Sequence, residues 1–229
     1  MHKNLDNWIE AAKIYAEVKG ENIYSCFCKD FVKRHFTDVN NLHVLDAGCG
    51  DGEYTEMFRQ KGAVATGCDG SHKVIEIAKN QYPHCKFDVA DISKQMPYDD
   101  NRFDLVFSNL VLMDIEEIST TVKEFIRVLK KDGKLFFSIV HPAFYLGNWE
   151  KNEEGIIVYK KVTSYITPRS IEMVWVTQPV LHYHRPVSYY FNLLTEHGLA
   201  FLKMYEPMVY EDTKIPDIPL YLFAEFIKQ

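Results

Sequence analysis

Hydrophobic and polar positions in the middle of the chain alternate between two periods. Runs typical of buried strands begin at His43 and recur at 63–69, 86–91, 103–109 and 134–140. Between these runs, apolar residues fall three and four positions apart, as on one face of a helix, most clearly from Ile115 to Leu129. Regular alternation of strands and helices predicts an α/β fold with a doubly wound, mostly parallel sheet.

Different patterns precede and follow this core. Two helical stripes lead in, and after the fifth strand the pattern changes to alternating segments at 156–166 and 171–176, which predict an antiparallel insertion. A helix and two final strands close the chain. We therefore predict a single domain over 1–229. It would consist of N-terminal helices at 1–41, the cofactor-binding core at 42–140, the insertion at 143–185, and a C-terminal helix with antiparallel strands at 186–229.

The most informative motif lies where the first strand ends. Residues 43–52 read HVLDAGCGDG: an apolar strand, an acid at its end, then glycine at every second position. Helical spacing resumes at Glu53, so the glycines fall on a strand-to-helix turn. Glycine permits positive φ and brings backbone N–H groups close to a ligand. The turn therefore predicts a site for a small polar ligand, cradled by bare amides between Asp46 and Gly52.

The spacing of the glycines separates two classes of cofactor. The dinucleotide fingerprint Gly-x-Gly-x-x-Gly would place its third glycine at position 53, which is Glu53. With glycine instead at Gly52, and an acid two residues before Gly48, the motif resembles that of the small-molecule class I S-adenosylmethionine-dependent methyltransferases. The resemblance covers about 42–140 and the last two strands. It implies a Rossmann-like sheet of seven strands, S-adenosyl-L-methionine as cofactor, and methyl transfer.

The resemblance also implies a contact for each part of the cofactor. Asp69, at the end of the second strand, would accept hydrogen bonds from both ribose hydroxyls. Asp91 would accept one from the adenine amino group, and Ile92 would contact the ring. Ser108 and Asn109 would border the methionine part. The expected cofactor-binding residues are Tyr24, Asp46, Gly48, Cys49, Gly50, Asp69, Gly70, Asp91, Ile92, Ser108 and Asn109.

Three positions qualify the resemblance. No Asn-Pro-Pro-aromatic tetrad follows the strand 103–109, which argues against methylation of amino groups in DNA bases or protein glutamine. Asp114 stands where many relatives carry histidine, so no role of that histidine is transferred to this chain. Tyr24 belongs to an apolar helix stripe, and core packing is an alternative to cofactor contact.

Two histidines are candidates for the catalytic base. Methyl transfer from a sulfonium needs alignment, exclusion of water and often a group that takes the acceptor's proton. His141 directly follows the fifth strand, and His184 shares one face of an extended segment with His182. Imidazole titrates near neutral pH, so His141 and His184 are predicted as catalytic, with hydrogen-bonded structural roles as the alternative. Aromatic residues of the insertion would cover either a substrate pocket or the core.

Composition limits the partners. A formal net charge of −6 argues against nucleic acid, and no apolar run is long enough to span a membrane. Five scattered cysteines, with no apolar leader at the N-terminus, predict reduced thiols in a cytoplasmic protein. The pairs Cys26/Cys28 and His182/His184 lack further ligands, so no metal is expected.

The sequence thus predicts S-adenosylmethionine-dependent methyl transfer to an oxygen or nitrogen of a small molecule. Two alternatives stay open. One is an NAD-linked oxidoreductase on the same sheet, which Glu53 disfavours. The other is a domain that binds the cofactor without transferring its methyl group. Neither the acceptor nor the oligomeric state has a signature in the sequence.

Overall fold

The computed structural model of the protein describes residues 23–145, 148–175, 177–208 and 218–229. Within these ranges the helices are α1 Ile23–His35, α2 Glu53–Gln60, α3 His72–Gln81, α4 Ile118–Val128 and α5 Val187–Glu196. The strands are β1 His43–Ala47, β2 Val64–Asp69, β3 Lys86–Val89, β4 Phe103–Asn109, β5 Leu129–Val140, β6 Asn148–Lys151, β7 Ile157–Lys161, β8 Arg169–Trp175, β9 Gln178–His184, β10 Leu199–Tyr205 and β11 Tyr221–Lys228. A short 3₁₀ helix, Leu112–Asp114, follows β4.

The central sheet has seven strands in the order β10-β11-β5-β4-β1-β2-β3. Strands β1 to β5 pair in parallel, and β11 pairs antiparallel with both β5 and β10. The predicted α/β, doubly wound, mostly parallel sheet is therefore confirmed. Because β10 runs against β11, it points the same way as β5, so β11 is the reversed strand of this sheet.

Strand β1 lies between β2 and β4, which is where the winding of the sheet changes direction. In open α/β sheets a crevice forms at such a point, beyond the carboxyl ends of the strands, and ligands bind there. The glycine turn follows β1 directly, and the segment after Asn109 follows β4. The topology therefore places both segments at the mouth of one crevice.

Aromatic rings fill the core on the α1 face of the sheet. Phe107 of β4 and Phe136 of β5 stack with their centroids 5.8 Å apart, and Phe58 of α2 packs edge-on against Phe107 at 5.1 Å. Phe31 of α1 stacks on Phe223 of β11 at 4.2 Å. These rings fix α1 and α2 against the strands that carry the site, since aromatic contacts add to the stabilisation from burial.

The insertion after β5 is antiparallel, as predicted, but its strands pair differently. The alternating segments at 156–166 and 171–176 do not pair with each other: β7 pairs with β6, and β8 with β9. The side chain of Asn152 accepts the N–H groups of Glu154 and Ile156 and closes the turn of the first hairpin. Strand β9 contacts the 3₁₀ helix, so the second hairpin borders the crevice.

Other local predictions have mixed outcomes. Ser71 caps α3, accepting the N–H of Val74 at 3.2 Å. The third strand ends at Val89, before the predicted end at Asp91. The first helical stripe, at 8–16, lies outside the described residues. None of the described helices is long and apolar enough to cross a membrane.

Candidate functional site

The glycine turn is shaped by close packing on one side and open space on the other. Gly48 has φ +80°, and a Cβ there would lie 2.5 Å from a γ-methyl of Val111. Gly50 has φ +52°, and no atom of the described residues lies within 4 Å of where its Cβ would be. The segment after β4 therefore demands glycine at position 48. Position 50, in contrast, has open space on the side where a side chain would lie.

The backbone amides of the turn are not bare. Gly48 and Cys49 both donate to the carbonyl of Cys68, at 2.8 and 2.9 Å. Gly50 donates to Oδ2 of Asp69 at 3.2 Å. The prediction of free amides between Asp46 and Gly52 is therefore wrong, because the end of β2 lies beside the turn and satisfies its donors. A ligand at this turn meets an open backbone surface and a carboxylate.

Asp69 is that carboxylate. Its Oδ1 accepts the N–H of Ser71 at 2.9 Å, while its Oδ2 accepts the N–H of Gly50. Burial raises the pKa of Asp69, and the two backbone donors oppose that shift. Each carboxylate oxygen has a second lone pair, so both can still accept a hydroxyl. Gly70, also an expected contact, forms the link between Asp69 and the start of α3.

Asp46 lies beneath the turn. Its side chain is almost fully buried, with 1% of the residue exposed, and its Oδ2 accepts the hydroxyl of Thr55 at 2.6 Å. Burial raises the pKa of Asp46 to about 7, against the hydrogen bond from Thr55, which lowers it. This contact fastens the first turn of α2 to β1, so Asp46 shapes the turn from below.

The adenine side of the predicted site lies after β3. Oδ1 of Asp91 accepts the N–H and the hydroxyl of Ser93, at 3.0 and 2.6 Å, and Oδ2 pairs with Lys94 at 2.8 Å. Burial would raise the pKa of Asp91, but these contacts outweigh it and leave the pKa below its usual value. An adenine amino group would therefore share an occupied carboxylate. Ile92 is buried beside it.

The end of β4 is locked by hydroxyl groups. Ser108 donates to the carbonyl of Ala47 at 3.0 Å and ties β4 to β1. Asn109 accepts the hydroxyl of Ser138 at 2.7 Å. Leu110 then adopts φ +57°, which is unusual for a residue with a side chain and costs about 1 kcal/mol or more. Nothing in the sequence identified Leu110, whose strained backbone leads directly into the Val111 contact with Gly48.

The side chains of two further candidates, Tyr24 and Cys26, lie outside the described residues. Tyr24 lies in α1, but its side chain is outside the described residues, so its expected cofactor contact stays a prediction. The same holds for the side chain of Cys26. Cys28 is buried, and burial raises the pKa of its thiol. Among the described ranges, no three His, Cys, Asp or Glu side chains are grouped as a metal site.

His141 has both ring nitrogens engaged. Nδ1 accepts the N–H of Ala143 at 3.2 Å, and Nε2 lies 2.7 Å from a carboxylate oxygen of Glu206. In a neutral ring, Nε2 must therefore carry the hydrogen and donate it to Glu206. Burial lowers the pKa of His141, and Glu206 raises it in opposition. This geometry gives His141 no free lone pair for a substrate proton and favours a positioning role.

His184 has one engaged nitrogen and one free one. Its Nε2 lies 2.7 Å from the carbonyl oxygen of Tyr165, so Nε2 carries the hydrogen. Nδ1 has no hydrogen-bond partner among the described residues. Since only 2% of the residue is exposed, solvent has little access to this nitrogen. Burial also lowers the pKa of His184. A buried acceptor without a partner is costly, which makes Nδ1 a candidate contact for a bound hydroxyl or amine.

A third imidazole faces a carboxylate. Nδ1 of His182, on β9, lies 3.7 Å from Oδ1 of Asp114, at the end of the 3₁₀ helix. The sequence marks His182 only as a neighbour of His184 on one face of an extended segment, and Asp114 only as a departure from the family pattern. Their pairing depends on how the insertion folds back on β4, for which the sequence has no local signal.

Comparison with known proteins agrees with this arrangement. A family model described as a methyltransferase domain matches residues 45–137. A malonyl-[acyl-carrier protein] O-methyltransferase of Buchnera aphidicola is 38% identical over 106 residues, which are 46% of this chain and 42% of that protein. A ubiquinone biosynthesis O-methyltransferase of Coxiella burnetii is 34% identical over 118 residues, half of each chain. The matched segment thus spans half or less of these relatives.

A solved structure matches over a greater length. The crystal structure of a putative S-adenosylmethionine-dependent methyltransferase from Listeria monocytogenes superimposes with a TM-score of 0.76 and 25% identity. The match covers 87% of this chain and 97% of that one. The likeness therefore extends over most of this chain and nearly all of that protein.

Proposed function

We propose that this chain, which matches a methyltransferase domain over residues 45–137, is a class I S-adenosylmethionine-dependent methyltransferase that transfers a methyl group to a small molecule. The observation that carries the proposal is the open surface at Gly50, bordered by the carboxylate of Asp69, at the point where the sheet changes winding. A nicotinamide dinucleotide is disfavoured because Glu53 stands where its fingerprint requires glycine.

The described residues offer complementary chemistry for each part of the cofactor. Asp69 would accept the ribose hydroxyls through its remaining lone pairs. Asp91 and Ile92 would border the adenine, with Asp91 sharing its oxygens with Ser93 and Lys94. The turn at Gly48 to Gly50 would lie against the methionine part, together with Ser108 and Asn109. The proposed set keeps Tyr24, Asp46, Cys49 and Gly70 as contacts or supports of this surface.

When bound, the cofactor supplies a methyl carbon whose bond to the sulfonium breaks toward sulfur as the acceptor's electron pair bonds to carbon. The chain's own contribution is alignment, exclusion of water and removal of the acceptor's proton. His184 is the proposed contact for the acceptor, since its Nδ1 is buried and unpartnered among the described residues. His141, which follows β5, is bonded to Glu206 and would hold the end of this strand in position.

Oxygen is the proposed target atom. Both named relatives are O-methyltransferases, one acting on a malonyl-carrier protein and one in ubiquinone biosynthesis. Hydroxyl oxygens, which carry a proton for the chain to remove, are therefore the first acceptors to test, with carboxylates as the comparison. The net charge of −6 disfavours nucleic acid as a partner. We expect the acceptor to enter over the second hairpin of the insertion.

Two measurements test this function. Calorimetry should detect binding of S-adenosylhomocysteine and none of NADH at the same concentrations. Incubation with methyl-labelled S-adenosylmethionine and the small-molecule fraction of the native cell should then give a labelled, extractable product. Binding without any labelled product would support the alternative of a cofactor-binding domain without transfer. Binding of NADH in place of S-adenosylhomocysteine would contradict the proposal.

A further inference from the structure

The segment after β4 and the insertion meet beside the glycine turn. Val111 packs directly on Gly48, and the 3₁₀ helix that ends at Asp114 starts one residue later. Strand β9 lies against this 3₁₀ helix. Asp114 and His182 are thus brought together by two chain segments that are far apart in sequence, close to the surface where the cofactor's methionine part would lie.

The pair is buried and held in place. Oδ1 of Asp114 and Nδ1 of His182 are 3.7 Å apart, with 14% and 6% of their side chains exposed. Arg185 donates to the carbonyls of Ile115 and Glu116, at 2.7 and 2.5 Å, and fixes β9 to the end of the 3₁₀ helix. Tyr145 stacks on the His182 ring with centroids 6.5 Å apart. The imidazole therefore has a defined plane and a defined neighbour.

We propose that Asp114 and His182 form the acid–base pair of the methyl transfer, in which Asp114 positions the ring and His182 takes the acceptor's proton. The inference rests on the proposed function. The carboxylate accepts the Nδ1 hydrogen of His182, which leaves the lone pair on Nε2. The acceptor's O–H proton passes to Nε2, and the electron pair it leaves forms the bond to the methyl carbon as the bond from that carbon to sulfur breaks toward sulfur. The resulting imidazolium is balanced by the carboxylate.

His141 and His182 each contact a carboxylate, but the second ring nitrogen of His141 is already engaged, and the partner of His184 is not a carboxylate. A carboxylate stabilises the imidazolium that a base becomes, as in catalytic His–Asp pairs. The partner of His184 is the carbonyl of Tyr165, which carries no charge, and the Nδ1 of His141 is already occupied by an N–H. His184, two residues from His182 on the same buried face, is left to orient the acceptor through its free Nδ1.

The charges around the pair agree with an ionised carboxylate. Burial raises the pKa of Asp114 to about 6, while His182 and Arg185 lower it in opposition. At pH 7.5 the carboxylate is then mostly ionised. Among the described residues, the other titratable groups that interact with the pair are His184 and the phenols of Tyr183 and Tyr190, and burial raises the pKa of both phenols. A separation of 3.7 Å shortens to a hydrogen bond with a small rotation, and such contacts commonly tighten when ligands bind.

The test uses two ligands that differ at the reacting centre. Sinefungin is an S-adenosylmethionine analogue with a charged amine where the methyl group is, whereas S-adenosylhomocysteine has no charge there. Calorimetry at pH 7.5 compares the two ligands in wild type, Asp114→Asn and Asp132→Asn. Asp132 is an exposed acid near the start of β5 and serves as the control. We expect Asp114→Asn to weaken sinefungin about tenfold and S-adenosylhomocysteine less than threefold, with Asp132→Asn changing neither.

A second measurement uses wild-type protein alone and does not depend on how the variant folds. Nitrogen-15 NMR of the histidine rings should show His182 with its hydrogen on Nδ1 in the S-adenosylhomocysteine complex. Replacing that ligand by sinefungin should shift the ring resonances of His182 while its hydrogen stays on Nδ1, because a cation then lies beside Nε2.

The outcomes separate this inference from the proposed function. Equal weakening of both ligands by Asp114→Asn, or a His182 signal that is the same with both ligands, would overturn the acid–base pair while cofactor binding stands. A hydrogen on Nε2 of His182 would also overturn it. Failure of wild type to bind either ligand would contradict the proposed function and this inference with it.

Discussion

Gly50 and Gly155 have similar backbones in different surroundings. Both have positive φ, +52° and +78°, and neither Cβ position has a described atom within 4 Å. Gly155 lies in the exposed turn between β6 and β7, and Gly50 borders the crevice. The two positions therefore allow backbone strain to be separated from loss of ligand space.

Substitution of alanine at each position exploits this difference. Gly50→Ala and Gly155→Ala should each lower the free energy of unfolding by about 1–2 kcal/mol, the cost of a left-handed backbone with a Cβ. Only Gly50→Ala should weaken S-adenosylhomocysteine, by at least tenfold, because its methyl group enters the ligand's space. Urea unfolding and calorimetry measure the two effects. Equal affinity of both variants would show that the ligand does not lie over Gly50.

Asp69 links the turn to the expected ribose. Asp69→Ala should weaken cofactor binding more than tenfold, since a carboxylate with two hydroxyl partners is removed. Asp69→Asn should have a smaller effect, because its amide oxygen still accepts one hydrogen bond. Asp99→Ala, which alters an exposed acid outside the predicted site, is the control. Unchanged affinity of Asp69→Ala would remove this residue from the site.

His184 is expected to act on the acceptor and not on the cofactor. His184→Ala should lower methyl transfer about 10²-fold, the order of magnitude for losing a group that orients the acceptor. The affinity for S-adenosylhomocysteine should stay within threefold. His197→Ala, which alters a histidine bonded to its own helix at the carbonyl of Leu193, is the control. Full activity of His184→Ala would leave this residue with a structural role.

The residues of the turn could be predicted, and their partners could not. The motif identified Gly48, Gly50 and Asp69, because glycine spacing and a strand-end acid are local features. The end of β2 accepts hydrogen bonds from the N–H groups of the turn, and this pairing depends on the register of two parallel strands. The Asp114–His182 contact depends on the path of the insertion. Neither is encoded by a short stretch of sequence.

At the scale of elements, α2 is joined to β1 by a buried acid. The hydrogen bond from Thr55 to Asp46 holds the first turn of α2 over the end of the strand. Because the pKa of Asp46 is raised to about 7 by burial, its protonated form is favoured in the folded state. Its contribution to stability is fully present below the pKa of an unfolded Asp, and is lost as pH rises through about 7.

Asp46→Asn should therefore remove part of the pH dependence of folding. Wild type should lose unfolding free energy between pH 4 and 8, with each unit of pKa shift worth about 1.4 kcal/mol. The amide that replaces the carboxyl group is neutral throughout and still accepts the hydroxyl of Thr55, so the variant should become more stable than wild type at pH 8. Urea unfolding at both pH values, with Asp132→Asn as control, measures the difference. A pH dependence identical to that of wild type would contradict it.

Elements were predicted more reliably than their pairing. Alternation identified strands in the insertion because period two is a property of each segment alone. It could not decide that β7 pairs with β6 and β8 with β9, since alternating segments are compatible with several partners. The early end of β3 at Val89 has a local cause, because Asp91 accepts hydrogen bonds from Ser93 in the following turn.

At the scale of the whole molecule, the order of the strands decides where the chemistry lies. The repeated strand–helix pattern was sufficient to predict a doubly wound sheet, and the right-handed crossovers of such sheets leave few arrangements. That order places the carboxyl ends of β1 and β4 beside each other and the second hairpin of the insertion above them. Under the proposed function, the geometry of the sheet would therefore decide where the cofactor binds, whereas the insertion would decide the choice of acceptor.

A crystal structure with S-adenosylhomocysteine tests the central claim most directly. The account predicts the ligand across the carboxyl ends of β1 and β4, with its ribose hydroxyls on Asp69 and its amino-acid part over Gly50. Crystals that leave this crevice empty at saturating S-adenosylhomocysteine, and fill it with a nicotinamide dinucleotide, would contradict the account.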